Sequence, residues 1–229
     1  MKPAGLWREG VSVLLITRML PATFFLMVAL ARAQRLPSLF PLPPGDANAL
    51  ARATALAQIV YHGSVIFFLL LVTGLFIVRW QPIRKSIGWR PRLTALLGAF
   101  LLSFLAASPH SDATVLRTAG ATFLLVSGSA ITIAALFALG RSFSIFPEAR
   151  RLVTTGPYAV VRHPMYAGEI LSGLGLTLQV LSPFAIMLFA LFLVAQFVRM
   201  RDEEHILEHT FPEYAAYKRR TARLIPRIY

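Results

Sequence analysis

The sequence predicts an all-α, polytopic transmembrane protein of about six spans, ending in a short C-terminal helical hairpin and a cytosolic tail. Three observations predict it. Of 229 residues, 56% are hydrophobic and only 14% charged, against about 25% charged in an ordinary soluble domain. The mean hydropathy is +0.64, too apolar for a chain with a polar surface. Apolar runs recur along the chain at close to the length of about 20 residues that a helix needs to cross a bilayer. The same figures exclude disorder, collagen and coiled coil. There is no cysteine, which excludes disulfides, thiolate metal sites and cysteine nucleophiles.

The spans follow in order. The first runs from Val11 to Ala33, with Arg18 and Pro21 inside it. It is too long for a signal-peptide core and no small-residue cleavage site follows cleanly, so no secretory signal is expected. A Pro-rich stretch (Pro37, Pro41, Pro43, Pro44) reads as an outer linker without chemistry. The second span covers Leu50 to Val78, and the third, Leu93 to Ala107, is short. The fourth covers Ala113 to Leu139. Met165 to Leu181 and Pro183 to Val198 form a tight hairpin around Ser182-Pro183, with arms short enough to tilt or to stop inside the bilayer. These spans divide the chain into four N-terminal spans, residues 1–139, and a C-terminal core, residues 140–229.

The net charge is +13, from 23 Lys and Arg against 10 Asp and Glu. Most of the basic residues fall at the termini or in one set of loops, Arg79 to Arg92 and Arg141 to Arg162. That asymmetry places both termini and these loops in the cytoplasm, facing anionic lipid. Basic residues beside apolar spans call for a membrane and not for nucleic acid.

Unusual polar residues gather after Gly140. In Thr154-Thr-Gly-Pro-Tyr158 the Gly-Pro pair signals a turn. Pro164 suits the first turn of a helix, which puts Arg162 and His163 at its N-terminus. The free N–H groups there favour an anion; an interfacial anchor of Arg, His and Tyr reads equally well. Beyond the hairpin, Arg199 and Glu203 lie four apart on one helical face. Half of the acids lie here, in Asp202, Glu203, Glu204, Glu208 and Glu213. Thr210 and Glu213 fit a capping box for a following helix. Ile206, Leu207, Phe211, Tyr214 and Tyr217 form an apolar side that either closes over a ligand or rests on the bilayer. The hairpin returns both segments to one rim. An anion site beside a carboxylate suits an amino-acid moiety, with Arg162 and the helix end on its carboxylate and a Glu on its ammonium.

Thr-Gly-Pro-Tyr-x-x-x-Arg-His-Pro-x-Tyr, a hairpin, then Arg-x-x-x-Glu-Glu with Phe-x-x-Tyr-x-x-Tyr resembles the isoprenylcysteine carboxyl methyltransferases and the related phospholipid N-methyltransferases. The resemblance covers Gly140 to Pro226, and none of it is visible in the first four spans. It implies S-adenosylmethionine as cofactor, bound without a Rossmann fold between the hairpin and the tail. Consistently, Gly173-Leu-Gly175 lacks a third glycine and lies inside a span. Carried over by position, it puts cofactor contacts on Arg150, Arg151, Leu152, Val153, Tyr158, His163, Pro164, Met165 and Tyr166, with Glu204 a further neighbour. Arg199 and Glu203 fall where the family's catalytic Arg and Glu stand. The acceptor it implies is a lipid or prenylated small molecule, carrying a carboxylate or an amine.

Glu169 departs from that pattern. A charge one turn inside a span is costly and usually functional, so it is a candidate substrate contact; the plain alternative is a carboxylate paired with Arg162 or a tail Arg. His-Pro-x-Tyr-x-Gly-Glu also resembles the NADPH-dependent membrane sterol and steroid reductases, which makes a reductase the first rival. A non-enzymatic membrane subunit or transporter, using Arg18, His62 and Glu169, is the second. No metal site is expected: His205 and His209 lie four apart among acids, which a solvated tail helix explains.

Overall fold

A computed structural model describes residues 14–35, 49–106 and 114–226, without the side chains of Arg35, Leu50, Ala51, Thr54 and Ala106. The Pro-rich linker (Pro37, Pro41, Pro43, Pro44) and the terminal Lys2, Arg8 and Arg227 lie outside the described residues. The protein is mostly helical. After a π-helical turn at Leu15–Met19, α1 spans Leu20–Arg35 and α2 spans Ala49–Val78. A two-residue strand β1, Arg84–Lys85, leads to α3, Arg90–Phe100, and α4, Ser103–Ala106. Next come α5, Val115–Leu139, and strand β2, Glu148–Ala149. The chain finishes with α6, Pro164–Val180, α7, Pro183–Thr210, and α8, Tyr214–Arg220.

Among the described residues, four helices are long and apolar enough to cross a membrane: Leu15–Gln34, Ala55–Val78, Val115–Ser142 and Pro183–Thr210. The other two expected spans are shorter. The 11 residues of α3 rise only about 16 Å, and the 17 of α6 about 25 Å, against a hydrocarbon core of about 30 Å. The hairpin arms are therefore unequal, since α7 runs on without a break through 28 residues. Ser182 caps α7 by accepting from the Ala185 N–H at 3.1 Å, and Pro183 is its first residue.

Among the described residues the most extensive helix contact is that of α5 with α6, and glycine allows it. A methyl group added at Gly128 would lie 2.6 Å from the Gly168 carbonyl oxygen, and one at Gly175 would lie 2.8 Å from that of Ala121. Small residues let two membrane helices bring their backbones together. Gly175, no part of a nucleotide loop, is a packing residue. Phe25, Val72, Phe76, Leu136 and Phe143 fill the core between α1, α2 and α5.

Arginines tie the helix ends into one charged rim. Arg18 donates to the Ile77 carbonyl at 3.1 Å and Arg141 to that of Val78 at 2.7 Å. Both are carbonyls of the last turn of α2, which have no helical partner of their own. Arg79 donates to Thr17 O at 2.5 Å. β1 pairs antiparallel with β2, Arg84 opposite Ala149 and Lys85 opposite Glu148. That strap carries residues 142–150 across the rim, toward the start of α6.

Candidate active site

The segment before α6 is shaped by its turn residues. Gly156, at φ +61°, opens a 3₁₀ turn over Gly156–Ala159 that buries Tyr158, and a left-handed φ costs glycine nothing. Pro164 then starts α6, with His163 at its N-cap. The tail returns here: Val161 bridges Ala222, Arg162 N donates to Ala222 O at 2.8 Å, and His163 N donates to Arg223 O at 3.0 Å.

Two adjoining hollows lie under this loop. Both have Leu139, Ser142, Glu148, Tyr158, His163 and Glu203 in their walls. One adds Arg150, Arg151, Leu152, Val153, Arg162, Leu207, Tyr214 and Tyr217; the other adds Met165 and Tyr166. The structure thus brings together Arg150, Arg151, Leu152, Val153, Tyr158, Arg162, His163, Met165, Tyr166 and Glu203. Pro164 lines neither hollow and serves as the first residue of α6. Leu207, Tyr214 and Tyr217 close over the loop: the Tyr217 hydroxyl donates to Tyr158 O at 2.8 Å. Burial pushes that hydroxyl up to about 12 and raises those of Tyr158 and Tyr214 as well. All three remain protonated donors at neutral pH.

Arg150 is braced and not free to swing. It donates to Trp80 O at 2.7 Å and to Glu148 Oε2 at 2.6 Å, and Ser144 bonds the same oxygen at 2.9 Å. The Arg141 and Arg151 guanidinium groups lie 5.2 Å and 5.6 Å from the Trp80 ring centre, within cation–π range.

Glu204 and Glu203 part company. Glu204 accepts from Arg162 Nε at 3.0 Å and pairs with His163 Nε2 at 3.0 Å, Arg223 Nε at 3.2 Å and Lys218 Nζ at 3.8 Å. Arg162 also donates to Lys218 O at 3.0 Å and to Thr221 O. The carboxylate that the sequence leads one to expect beside His163 is thus in part the chain's own. Glu203 turns the other way, into both hollows, where the Tyr166 hydroxyl donates to it at 2.9 Å and His163 Nδ1 stands 4.0 Å off.

Tyr166 leads from the hollows to Arg199. The Arg199 guanidinium carbon lies 4.9 Å from the Tyr166 ring centre. Its Nη1 donates to Gln196 Oε1 at 2.7 Å and lies 3.6 Å from Glu169 Oε2, while Gln196 Nε2 donates to Glu169 Oε2 at 2.5 Å. Arg199 is only 2% exposed; it belongs to the packed bundle and not to a solvated tail. Glu169 pairs with Arg199 and not with Arg162. It lines a third cavity of about 240 Å³ inside the bundle, walled by Val65, Phe68, Leu102, Leu176 and Phe192 among others.

One sequence expectation changes. Thr210 forms no capping box with Glu213: its hydroxyl bonds back to Ile206 O at 2.7 Å, and α8 begins at Tyr214 with no side-chain cap. The back-bond wins because Thr210 is still inside α7. His205 and His209 interact with each other, with Nδ1 of His209 2.7 Å from His205 O; among the described residues no group of three or more His, Asp or Glu could hold a metal. Sequence reasoning also passed over several wall residues. Ser142 and Glu148 carry no local signal, since their place depends on the strap. Gln196, a lone amide in an apolar helix, was open to the reasoning applied to Glu169.

Compared with known proteins, residues 116–214 match the family described as phospholipid methyltransferase. The match reaches back over α5, the helix that packs most closely on α6. The nickel-cobalt-cadmium resistance protein NccN of Alcaligenes xylosoxydans xylosoxydans is 31% identical over 152 residues, 63% of this chain and 66% of that protein. The cobalt-zinc-cadmium resistance protein CzcN of Cupriavidus metallidurans is 33% identical over 154 residues, 63% of this chain and 65% of that protein. The protein-S-isoprenylcysteine O-methyltransferase of Saccharomyces cerevisiae is 31% identical over 144 residues, 59% of this chain and 60% of that protein. The matched region therefore spans just under two thirds of these relatives.

Proposed function

We propose that the protein, whose residues 116–214 match the phospholipid methyltransferase family, is an S-adenosylmethionine-dependent membrane methyltransferase of the isoprenylcysteine and phospholipid methyltransferase superfamily, with a lipid-like acceptor bearing a carboxylate or an amine. One observation carries this reading. The polar hollows at the rim and the apolar cavity in the bundle are joined by a continuous chain of side chains, Glu203–Tyr166–Arg199–Glu169.

The wall residues fit the cofactor. Within the hollows, the Ser142 and Tyr214 hydroxyls are buried and make no hydrogen bond with the described residues, so they are donors in want of a ligand. Glu203 offers a carboxylate to an ammonium or sulfonium, and Tyr158, Leu152 and Val153 offer apolar surface to an aromatic base. Arg150, Arg151, His163, Met165 and Tyr166 complete the wall. Arg162 and Glu204 serve by fixing His163 and the tail in place. When bound, the cofactor supplies a methyl group already activated on a sulfonium. What remains for the protein is to hold the acceptor in line and to exclude water. Tyr214 and Tyr217 close the hollow, Arg199 orients the reacting group, and Glu203 is the base for any acceptor that must shed a proton.

In this reading residues 140–229 form the cofactor-binding core, and the first four spans, residues 1–139, frame the acceptor. Counting α3 and α6 as spans gives six, with the charged rim and both termini on the cytoplasmic face. The acceptor enters sideways from the adjacent leaflet.

Calorimetric titration of the detergent-purified protein with S-adenosylhomocysteine and, separately, NADPH tests the proposal. Saturable binding of S-adenosylhomocysteine alone is expected, weakened by Glu203→Gln. Binding of NADPH alone would transfer the site to the reductase reading, with Glu169 at its centre. A folded protein that binds neither would remove the enzyme reading.

A further inference from the structure

We infer that the tail carries a site for the headgroup of an anionic phospholipid, a basic hollow between Val160, Arg162 and residues 218–226, and that a lipid seated there holds the tail closed over the cofactor hollow. The headgroup site stands by itself; its effect on the cofactor rests on the methyltransferase reading.

An open hollow of about 700 Å³ shares Arg162 with the cofactor hollow. Its wall holds five cations, Arg162, Lys218, Arg219, Arg220 and Arg223, and one carboxylate, Glu204. Glu204 is taken up by Arg162, Lys218 and Arg223, and Lys218 also reaches Glu208 outside the wall. With Glu208 counted and His163 taken as neutral, three positive charges are left over. Arg219 and Arg220 are exposed and pair with no acid among the described residues. Two free guanidinium groups beside three committed cations suit an anion with several acceptor oxygens. A phosphodiester is one, since the planar fork of arginine matches a pair of phosphate oxygens.

Depth and lining favour a lipid over a soluble anion. The apolar run of α7 ends at Val198, and Glu204 lies six residues on, about 9 Å along the helix. A hydrocarbon core of about 30 Å grows to about 40–45 Å with its headgroup layers, so Glu204 and the hollow stand close to headgroup depth. Val160 and Ile225, 57% and 52% exposed, set apolar side chains beside the cations, the pairing that an interfacial segment presents to lipid. Basic clusters just outside a span bind anionic headgroups in this way.

The same segment closes the cofactor hollow. Tyr217 donates to Tyr158 O, while Arg162 N and His163 N donate to Ala222 O and Arg223 O. Arg162 also holds Lys218 O and Thr221 O. A headgroup held by Arg219, Arg220, Arg223 and Arg162 adds one more tie between the same two segments. A ligand that prefers the closed tail shifts the tail toward closure, and what closure does for the cofactor the cofactor does in return for the lipid.

The test compares the protein in nanodiscs of phosphatidylcholine alone with nanodiscs of equal parts phosphatidylcholine and phosphatidylglycerol. Native mass spectrometry after release from the mixed discs should show one retained phosphatidylglycerol. Hydrogen exchange of residues 214–223 should be slower in the mixed discs, and S-adenosylhomocysteine should bind about fivefold more tightly there. The double variant Arg219→Gln, Arg220→Gln should lose the retained lipid and both differences. The double variant Arg90→Gln, Arg92→Gln, an equal loss of charge at the start of α3, should keep all three. Absence of a retained phosphatidylglycerol overturns the inference, and so does an equal response from the two double variants, which would reduce the effect to surface potential. Inorganic phosphate added to the phosphatidylcholine discs should not slow exchange; slowing equal to that given by phosphatidylglycerol would make the hollow a site for a soluble anion and overturn the lipid. Failure of S-adenosylhomocysteine to bind in either disc would strike the methyltransferase reading, while the retained lipid and the exchange rates would still judge the headgroup site.

Discussion

The Glu204 cluster and the Arg199 cluster are built from neighbouring turns of one helix, yet they are opposites in electrostatic design. Around Glu204 a single carboxylate meets Arg162, His163, Lys218 and Arg223, from the loop before α6 and from the tail. Its demand is met, and it clamps two segments together. Around Arg199 a single buried cation meets one acid, Glu169, the Gln196 amide and the Tyr166 ring, and its Nε makes no hydrogen bond with the described residues. A saturated cluster holds the fold; an unfinished one, set between two hollows, is equipped to receive something. The Arg-x-x-x-Glu-Glu string contains members of both, so residue type alone does not separate them.

The contrast can be broken at each end. Glu204→Ala should give the largest effect, a loss of about 3–5 kcal/mol of stability, because it leaves several partly buried cations without their common partner. Thermal unfolding in detergent would read it, and an unchanged melting temperature would contradict the clamp. Arg199→Lys should instead leave stability nearly intact and cost roughly a hundredfold in methyl transfer, since a lysine keeps the charge but loses the planar fork. The lysine variant is preferable to Arg199→Ala, which would strand Glu169 inside the bundle. A smaller effect is expected at Gly98, where an added methyl would lie 2.6 Å from Arg199 Cδ and 2.8 Å from Gln196 Oε1. Gly98→Ala should shift both side chains and lower kcat about tenfold, with cofactor affinity unchanged. The smallest effect belongs to Tyr217→Phe, which removes the bond to Tyr158 O at 2.8 Å. It should cost about 1 kcal/mol, seen as a modestly weaker affinity for S-adenosylhomocysteine.

Much of the site was legible because its residues lie in two short segments that a hairpin returns to one rim. Gly156-Pro157 and Pro164 specify their own turn and helix start, and the structure has both. Ser182-Pro183 likewise marks the corner where α7 begins. The placements of Arg199 and Glu204 were not legible. Which side of α7 is buried depends on α3 arriving beside it, with Gly98 against Arg199, and no local pattern announces that approach. Thr210 shows the same limit on a small scale: a capping motif is a string of residue types, and whether the helix has already ended is decided elsewhere.

By itself, then, the sequence determined the solvent the chain is built for, the turns and helix starts at the rim, and the family that its motifs resemble. These follow from composition, from apolar run length and from the φ preferences of Gly and Pro, all of which act within a few residues. Only the tertiary structure decided which acid clamps and which faces the hollows, that Glu169 and Gln196 share Arg199, and that an apolar cavity ends at that group. Those outcomes depend on charges and volumes brought together from distant parts of the chain, and in a buried setting the partner, more than the residue type, sets what a charge can do.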